Sequence, residues 1–431
     1  MQTPGTKDQK HESSFFSDSL IVMIFAALIT YITYLVVITL SRQELSDYNG
    51  HVYTYITTFI GEDPLKSYMM SPYFIWHIIV LFFNRILFIP LERSAALCTI
   101  IFTLASYFIT VFMIKRFCEF KKISASLNLI SFSSFILTVL QPVWISFLDA
   151  GISRGVGSFT INPIYNPTHT TARPFALLCF MLVIDWWSLS ESESGNDTVF
   201  FSLSKTKTGI LLSVMLFISS FAKPVFSMMF IPAVGIIMLA RFISILIKKG
   251  KARDYFVNDL LKAFLIALPC IASLLYQVFI YYILGGSYEA INGIIITHWL
   301  EVWAAFSENI PLSILFSMSF PIFILVCDIR NYIKERFGPL SIVCFVTGFL
   351  QCALLGEGGE KFYHGNFFWQ MMFGMLILWA GCLLHFFDMG KKAKTKGERM
   401  MIVTGWILLL IHLHYGFLYV AEVMEWTFLF V

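Results

Sequence analysis

The chain is a succession of apolar runs of near membrane-crossing length, separated by short polar and charged stretches. They are Leu20–Leu40, Ser94–Ile114, Ile123–Phe147, Pro174–Trp187, Thr208–Ala222, Val225–Leu246, Ala263–Leu284, Leu312–Cys327, Leu340–Leu355, Phe367–Phe387 and Met401–Tyr419. A hydrocarbon core of roughly 30 Å asks for about 20 apolar residues in a helix. Inside it every backbone amide must be satisfied within the segment. The expected fold class is therefore all-α, a polytopic helical membrane protein with about eleven transmembrane helices. Only 13% of the residues are charged and 58% are hydrophobic, whereas a soluble domain carries roughly 25% charge. Eight cysteines include no Cys-x-x-Cys pair and no histidine at zinc spacing, which argues against a disulfide framework and a metal cluster. No sequence repeat or soluble domain stands out, and no nucleic-acid partner is expected.

Charge placement orients the chain. With the N-terminus inside, the inner loops and tail carry 21 Lys and Arg and the outer segments 8, with Arg241 near an inner helix end. That bias is the one the positive-inside rule predicts. The run Pro72–Ile89 is interrupted by His77, Asn84 and Arg85, and counting it as a crossing would place the later basic loops outside. It is read as a surface-lying or partly embedded helix within a long external segment after the first crossing.

This topology gathers the informative residues on the outer side: Asp47, His51, Asp149, Arg154, Asn162, Asn166, His169, Arg173, Lys223, Glu357, Glu360, Lys361, Tyr363 and His364. Polar groups at membrane depth are costly and tend to mark function. Cations suit an anionic group and carboxylates suit acid or base work, so both together suggest chemistry on something phosphorylated. Each has a structural alternative. Asp47 precedes an amphipathic segment, where aspartate is commonly a helix cap. Arg154 and Arg173 have the reach to snorkel to headgroups. Asn166-Pro167 is a turn signal. Glu357-Gly358-Gly359-Glu360-Lys361 suits an ordinary glycine loop, but its continuation Tyr363-His364-Gly365-Asn366 favours a site, and the Trp/His loop at 298–303 reads as an interfacial aromatic belt. Lys223-Pro224 is harder to dismiss, because it breaks the chain between two apolar runs and exposed backbone must then face a cavity.

Three features resemble the integral-membrane glycosyltransferases of the GT-C class, which use polyprenyl-phosphate-linked sugars. The first crossing is followed by an external acidic loop, Ser46-Asp47-Tyr48-Asn49-Gly50-His51, that continues into a Pro-led helix from Ser71-Pro72-Tyr73-Phe74 to Asn84-Arg85. A crossing ending in Lys115-Arg116 and its return deliver a second aspartate, Asp149. A short helix ends in Ala222-Lys223-Pro224. The resemblance covers residues 1–245, a catalytic membrane module, with 246–431 as further helices completing the substrate groove. The chain departs from better-known members. Asp149 stands outside any Asp-x-Asp pair, which leaves a divalent metal doubtful, and Asp185-Trp186-Trp187 reverses the Trp-Trp-Asp order.

The resemblance implies inverting transfer of a sugar to a glycan or lipid acceptor on the outer face of a membrane, expected to be a bacterial plasma membrane. Asp47 is the expected base, and Asp149 its partner or a sugar ligand. His51, Arg154, His169, Arg173, Lys223, Glu357, Glu360, Lys361, Tyr363 and His364 are the expected substrate-binding residues, with no metal ligand among them. The rival readings are a polysaccharide-repeat polymerase or ligase, and a transporter or lipid flippase, which a broken helix also suits.

Overall fold

The computed structural model describes residues 6–44, 46–56, 68–69, 71–145, 148, 151–191, 198–284 and 291–428. Among them are twelve helices longer than ten residues: α1 (Thr6–Arg42), α2 (Ile75–Arg85), α3 (Leu91–Lys121), α4 (Leu127–Val139), α5 (Pro167–Glu191), α6 (Lys205–Ala222), α7 (Pro224–Ile247), α8 (Leu261–Val278), α9 (Ile310–Tyr332), α10 (Gly338–Leu354), α11 (Phe368–Lys392) and α12 (Lys396–Phe428). Among the described residues, sheet is confined to two short pairs besides the isolated bridge of Ile152 with Ser307. Strands β1 (Arg154–Gly155) and β2 (Ser158–Phe159) run parallel, and β3 (Ile291–Ile296) and β4 (Leu355–Gly359) form an antiparallel ribbon with Ile294 opposite Glu357.

Nine helices among the described residues are long and apolar enough to cross a membrane. The all-α polytopic class holds, but length alone does not reach eleven crossings. Two of the expected crossings are the shorter helices α4 and α10, of 13 and 17 residues. At 1.5 Å per residue they are roughly 20 and 26 Å long. Helix α4 stops because the chain turns extended at Leu140, and residues 141–145 continue without helix. Helix α2, of 11 residues, is among the shorter apolar helices and buries Trp76, His77 and Val80.

Helix α11 is the pillar. Its apolar residues run all round, which suits a helix with no solvent or lipid face. It touches α3, α5, α7, α9, α10 and α12, and nearly every residue from Phe368 to Asp388 is buried. Helix α1 packs against α3, α4 and α12, on the flank that carries the acidic loop.

The basic loops meet at one end of the bundle. Lys121 pairs with Glu335 at 2.7 Å, and Lys391 donates to the carbonyl of Lys121 at 2.7 Å. Helix α3 carries the chain from there to Glu92, which accepts from Tyr53 at 2.8 Å and pairs with Arg42. The acidic loop therefore lies at the opposite end.

Candidate functional site

Asp47 sits in a single helical turn, Asp47–Asn49, clamped to the end of α1. Ser46 is the cap: its Oγ accepts the Asn49 N–H at 3.0 Å, while Asn49 Nδ2 donates to the Ser41 carbonyl at 3.0 Å. The capping alternative for Asp47 thus falls to its neighbour, and the Asp47 carboxylate is free for other work. It is largely exposed, and its Oδ2 accepts from Asn166 Nδ2 at 3.0 Å.

Asn166-Pro167 is not a loop turn but the start of α5. Asn166 Oδ1 accepts the His169 N–H at 2.8 Å, three residues on, as an N-cap does, and proline occupies the first helical position. The helix begins seven residues before the expected Pro174, which lies inside it unbroken. This cap is shared. The same Oδ1 also accepts from Thr168 Oγ1 at 3.0 Å and from Lys223 Nζ at 2.9 Å.

Lys223 lies between α6 and α7 in extended backbone, with φ −163° and ψ 115°. Pro224 has no N–H to continue the first helix but suits the first turn of the next. The break turns the Lys223 side chain inward, where it is buried, donates to Thr168 Oγ1 at 3.1 Å, and lies 4.1 Å from the centre of the Trp369 ring. Burial takes its ammonium down to about 7, with Asp47 pulling the other way. Asn166 is thus a bridge, with one end on the carboxylate and the other on the lysine.

Behind this bridge, His51 Nδ1 and His77 Nε2 are 3.0 Å apart, and both rings are buried edge-on to Trp76. Burial holds His51 well below the usual histidine range, helped by the charges of His77 and Lys223, and it takes His77 down to about 3. His169 and Arg173 lie one turn apart on α5 and are both buried. The His169 ring stacks on Phe373 at 4.0 Å, and neither ring nitrogen has a hydrogen-bond partner among the described residues. Arg173 donates one long bond, 3.5 Å, to the Leu137 carbonyl. Asn162 is a packing residue, donating to the carbonyls of Leu137 and Leu140 at the irregular end of α4.

Lys223 also lines a cavity of about 150 Å³. Trp369, Phe367, Tyr281, Leu274, Val278 and Met228 form much of its wall. Its second charged residue is Glu357 on β4, buried and opposite Ile294 of β3. Glu357 Oε1 accepts from Tyr282 at 2.9 Å and Oε2 accepts from Asn366. Lys361 donates to the Tyr281 hydroxyl at 3.3 Å, and partial burial lowers it to about 8. Glu360, Tyr363 and His364 are exposed and lie outside this lining.

The structure therefore brings Asp47, His169 and Lys223 together around Asn166, with His51 close to Lys223, and places Glu357 and Lys223 on one cavity. Asp149 falls outside the described residues. Arg154 is described only in its backbone, which pairs with Ser158. Sequence reasoning set Asn166 aside as a turn, reached Asn366 only as the end of the run Tyr363-His364-Gly365-Asn366, and missed Tyr282 and Trp369. Asn166 carried a signal in the helix-start pattern Asn-Pro, but Tyr282 and Trp369 sit in apolar runs and carry none. At the basic end, the ligand atoms of Glu335, His385 and Asp388 lie within 4.8 Å of one another. Lys121 and Lys392 already neutralise the two carboxylates, so the group reads as an ion-pair network. A scan against protein-family models finds none that matches this chain, and a search of curated proteins finds none with significant similarity.

Proposed function

We propose that this protein is an inverting glycosyltransferase of the GT-C type, moving a sugar from a polyprenyl-phosphate donor to an acceptor hydroxyl at the membrane surface. The observation that carries the reading is the Asp47–Asn166–Lys223 bridge. It joins an exposed carboxylate to a buried cation that also faces an apolar-walled cavity. A lipid-linked donor in that cavity has its phosphate at Lys223 and its chain against Leu274, Val278 and Met228. The acceptor arrives from the aqueous side, where Asp47 is.

In the reaction, the acceptor O–H gives its proton to Asp47 as its oxygen bonds the anomeric carbon. The bond from that carbon to the phosphate oxygen breaks, and polyprenyl phosphate leaves with its charge held by Lys223. Asn166 keeps base and cation in register. The reading further takes α4 and α10 as crossings, eleven in all, with the N-terminus inside, the site on the outer face of a bacterial plasma membrane, and residues 1–245 as the catalytic module.

Asp47→Asn tests this. Transfer from a polyprenyl-phosphate sugar should fall by about 10²-fold or more, as when a general base is removed, while stabilisation of the detergent-purified protein by the same lipid persists. Undiminished transfer by the variant removes Asp47 as base. The helix break also favours a lipid flippase as a second reading. That reading predicts movement of labelled lipid across proteoliposomes with no sugar transferred to any acceptor.

A further inference from the structure

The cavity at Lys223 has two unlike poles. Lys223 is a cation. Glu357, the other buried charge in the lining, is a carboxylate held by two neutral donors, Tyr282 and Asn366. An ionised carboxylate offers about four lone-pair positions. Tyr282 takes one on Oε1 and Asn366 takes one on Oε2, so each oxygen keeps acceptor capacity. The tyrosine hydroxyl keeps a lone pair of its own. Aromatic side chains, Trp369, Tyr281 and Phe367, also line it.

Each part follows from the local fold. The ribbon β3–β4 sets Glu357 opposite Ile294, so the two share one face, and Ile294 also lines the cavity. Gly359 leaves β4 with φ +83°, and Gly365, with φ +66°, turns the chain into α11 so that Asn366 comes back onto Glu357. Tyr282 comes from the far wall, in the π-helical turn Phe279–Leu284 that continues α8. Two other segments therefore converge on the β4 carboxylate at the cavity.

Buried carboxylates are costly unless their lone pairs are met. A ligand that meets these must donate hydrogen bonds at Glu357, present an anion at Lys223, and offer an apolar face to aromatic rings. A phosphorylated pyranose has all three: hydroxyl donors, a phosphate, and a C–H face. We infer that Glu357, Tyr282 and Asn366 form a sugar-hydroxyl subsite and that Glu357 sets which sugar the cavity accepts. This rests on the reading of the cavity as a donor site. A zwitterionic phospholipid headgroup, with an ammonium at Glu357, also has both charges. Its ammonium is drawn to aromatic faces as well, so the titration below includes such a lipid.

The test separates phosphate recognition from sugar recognition. Detergent-purified wild type, Glu357→Gln and Tyr282→Phe are titrated by thermal shift with polyprenyl phosphate, with polyprenyl-phosphate glucose, mannose and galactose, and with phosphatidylethanolamine. The ligand-free melting temperature of each variant reports whether it folds. In the wild type, one sugar lipid is expected to bind more tightly than bare polyprenyl phosphate. Glu357→Gln should cut that advantage about tenfold or more, with bare polyprenyl phosphate changed less than about twofold, and Tyr282→Phe should cut it by a smaller factor. Binding of bare polyprenyl phosphate with no advantage for any sugar, or an advantage that survives Glu357→Gln, overturns the subsite and leaves the donor reading standing. No stabilisation by any polyprenyl lipid overturns the donor reading and the subsite with it. Stabilisation by phosphatidylethanolamine alone, lost in Glu357→Gln, assigns the carboxylate to an ammonium and overturns the sugar inference.

Discussion

Among the described residues Lys223 donates to two oxygens, Asn166 Oδ1 and Thr168 Oγ1, and lies against the face of Trp369. These do not repay what water gave it, so its ammonium falls to about 7 against about 10.4 in an unfolded chain. Between those values the unfolded chain holds a proton the folded one has released, and stability rises with pH across that window. Lys361, lowered to about 8, adds a rise of the same sign from about pH 8 upward. The depressed pair His51 and His77 acts the same way, but below about pH 6.5. The ligand-free melting temperature should therefore climb from pH 7 to pH 9, and Lys223→Met should remove most of the climb between 7 and 8. Binding has the opposite sign. If the cavity takes the proposed phosphodiester donor, the donor keeps its charge over this range while Lys223 loses its own, so donor affinity should fall as pH rises through 7. A flat stability profile in the wild type would show that Lys223 stays protonated. The residues of this bridge were unevenly legible. Asp47 and Lys223 stood out because charge is rare in such a chain, and Asn166 did not, because asparagine before proline marks a loop turn as readily as a helix start.

At the scale of elements, what decides the site is where helices begin and stop. Proline marks both cases, and only context tells them apart. Pro224 starts a helix after an extended residue, whereas Pro174, Pro232 and Pro269 lie inside helices that continue through them. The Lys223 break was legible because a charged residue stood beside the proline. The early start of α5 was not, since Thr168, Thr170 and Thr171 read as polar loop yet are buried, with Thr170 and Thr171 bonding back to the helix backbone. Nor could Asp185 be read from order alone. It accepts the N–H groups of Val199, Phe200 and Phe201 and holds a loop at the basic end of the bundle. The ribbon β3–β4 was invisible for a related reason: its strands are a glycine-rich loop and a short isoleucine run in a chain dominated by apolar residues. The pillar α11 depends on glycines for its closest contacts. A Cβ on Gly374 would lie 2.7 Å from the Cys344 carbonyl oxygen of α10, and one on Gly348 would lie 2.6 Å from that of Gln370. Backbone cannot give way as a side-chain tip does, so Gly374→Ala and Gly348→Ala should each destabilise by about 1–3 kcal/mol. Their melting temperatures in detergent should fall, while Gly235→Ala, with open space around it, should leave the temperature unchanged or slightly higher.

For the molecule as a whole, the apolar runs fixed the class and the basic loops divided the two ends, but the number of crossings needed more than composition. Helix α4 is 13 residues and then gives way to extended chain, and a hydropathy window does not see that change of backbone. What survives is the division of charge. Lys121, Lys391 and Glu335 meet at one end, and Asp47, Lys223 and Glu357 stand at the other. If the basic end is cytoplasmic, as positive-inside bias requires, the Asp47 carboxylate faces outward and any acceptor must be an external one. Single cysteines decide it. All eight native cysteines are unpaired, and seven are buried, so they are first replaced by serine or alanine according to their surroundings. Glu360→Cys, exposed beside the cavity, and Lys394→Cys, in the basic loop between α11 and α12, are then introduced one at a time. A membrane-impermeant maleimide added to intact cells should label the cysteine at 360 and spare the one at 394 until the membrane is opened. The reverse pattern would place the site inside, where nucleotide sugars rather than lipid-linked ones are at hand, and the polyprenyl donor would lose its rationale. Labelling of both without permeabilisation would mean that an odd number of crossings between residues 360 and 394 is wrong, which makes α11 the helix to re-examine, although its length of 25 residues and its apolar faces are what a full crossing requires.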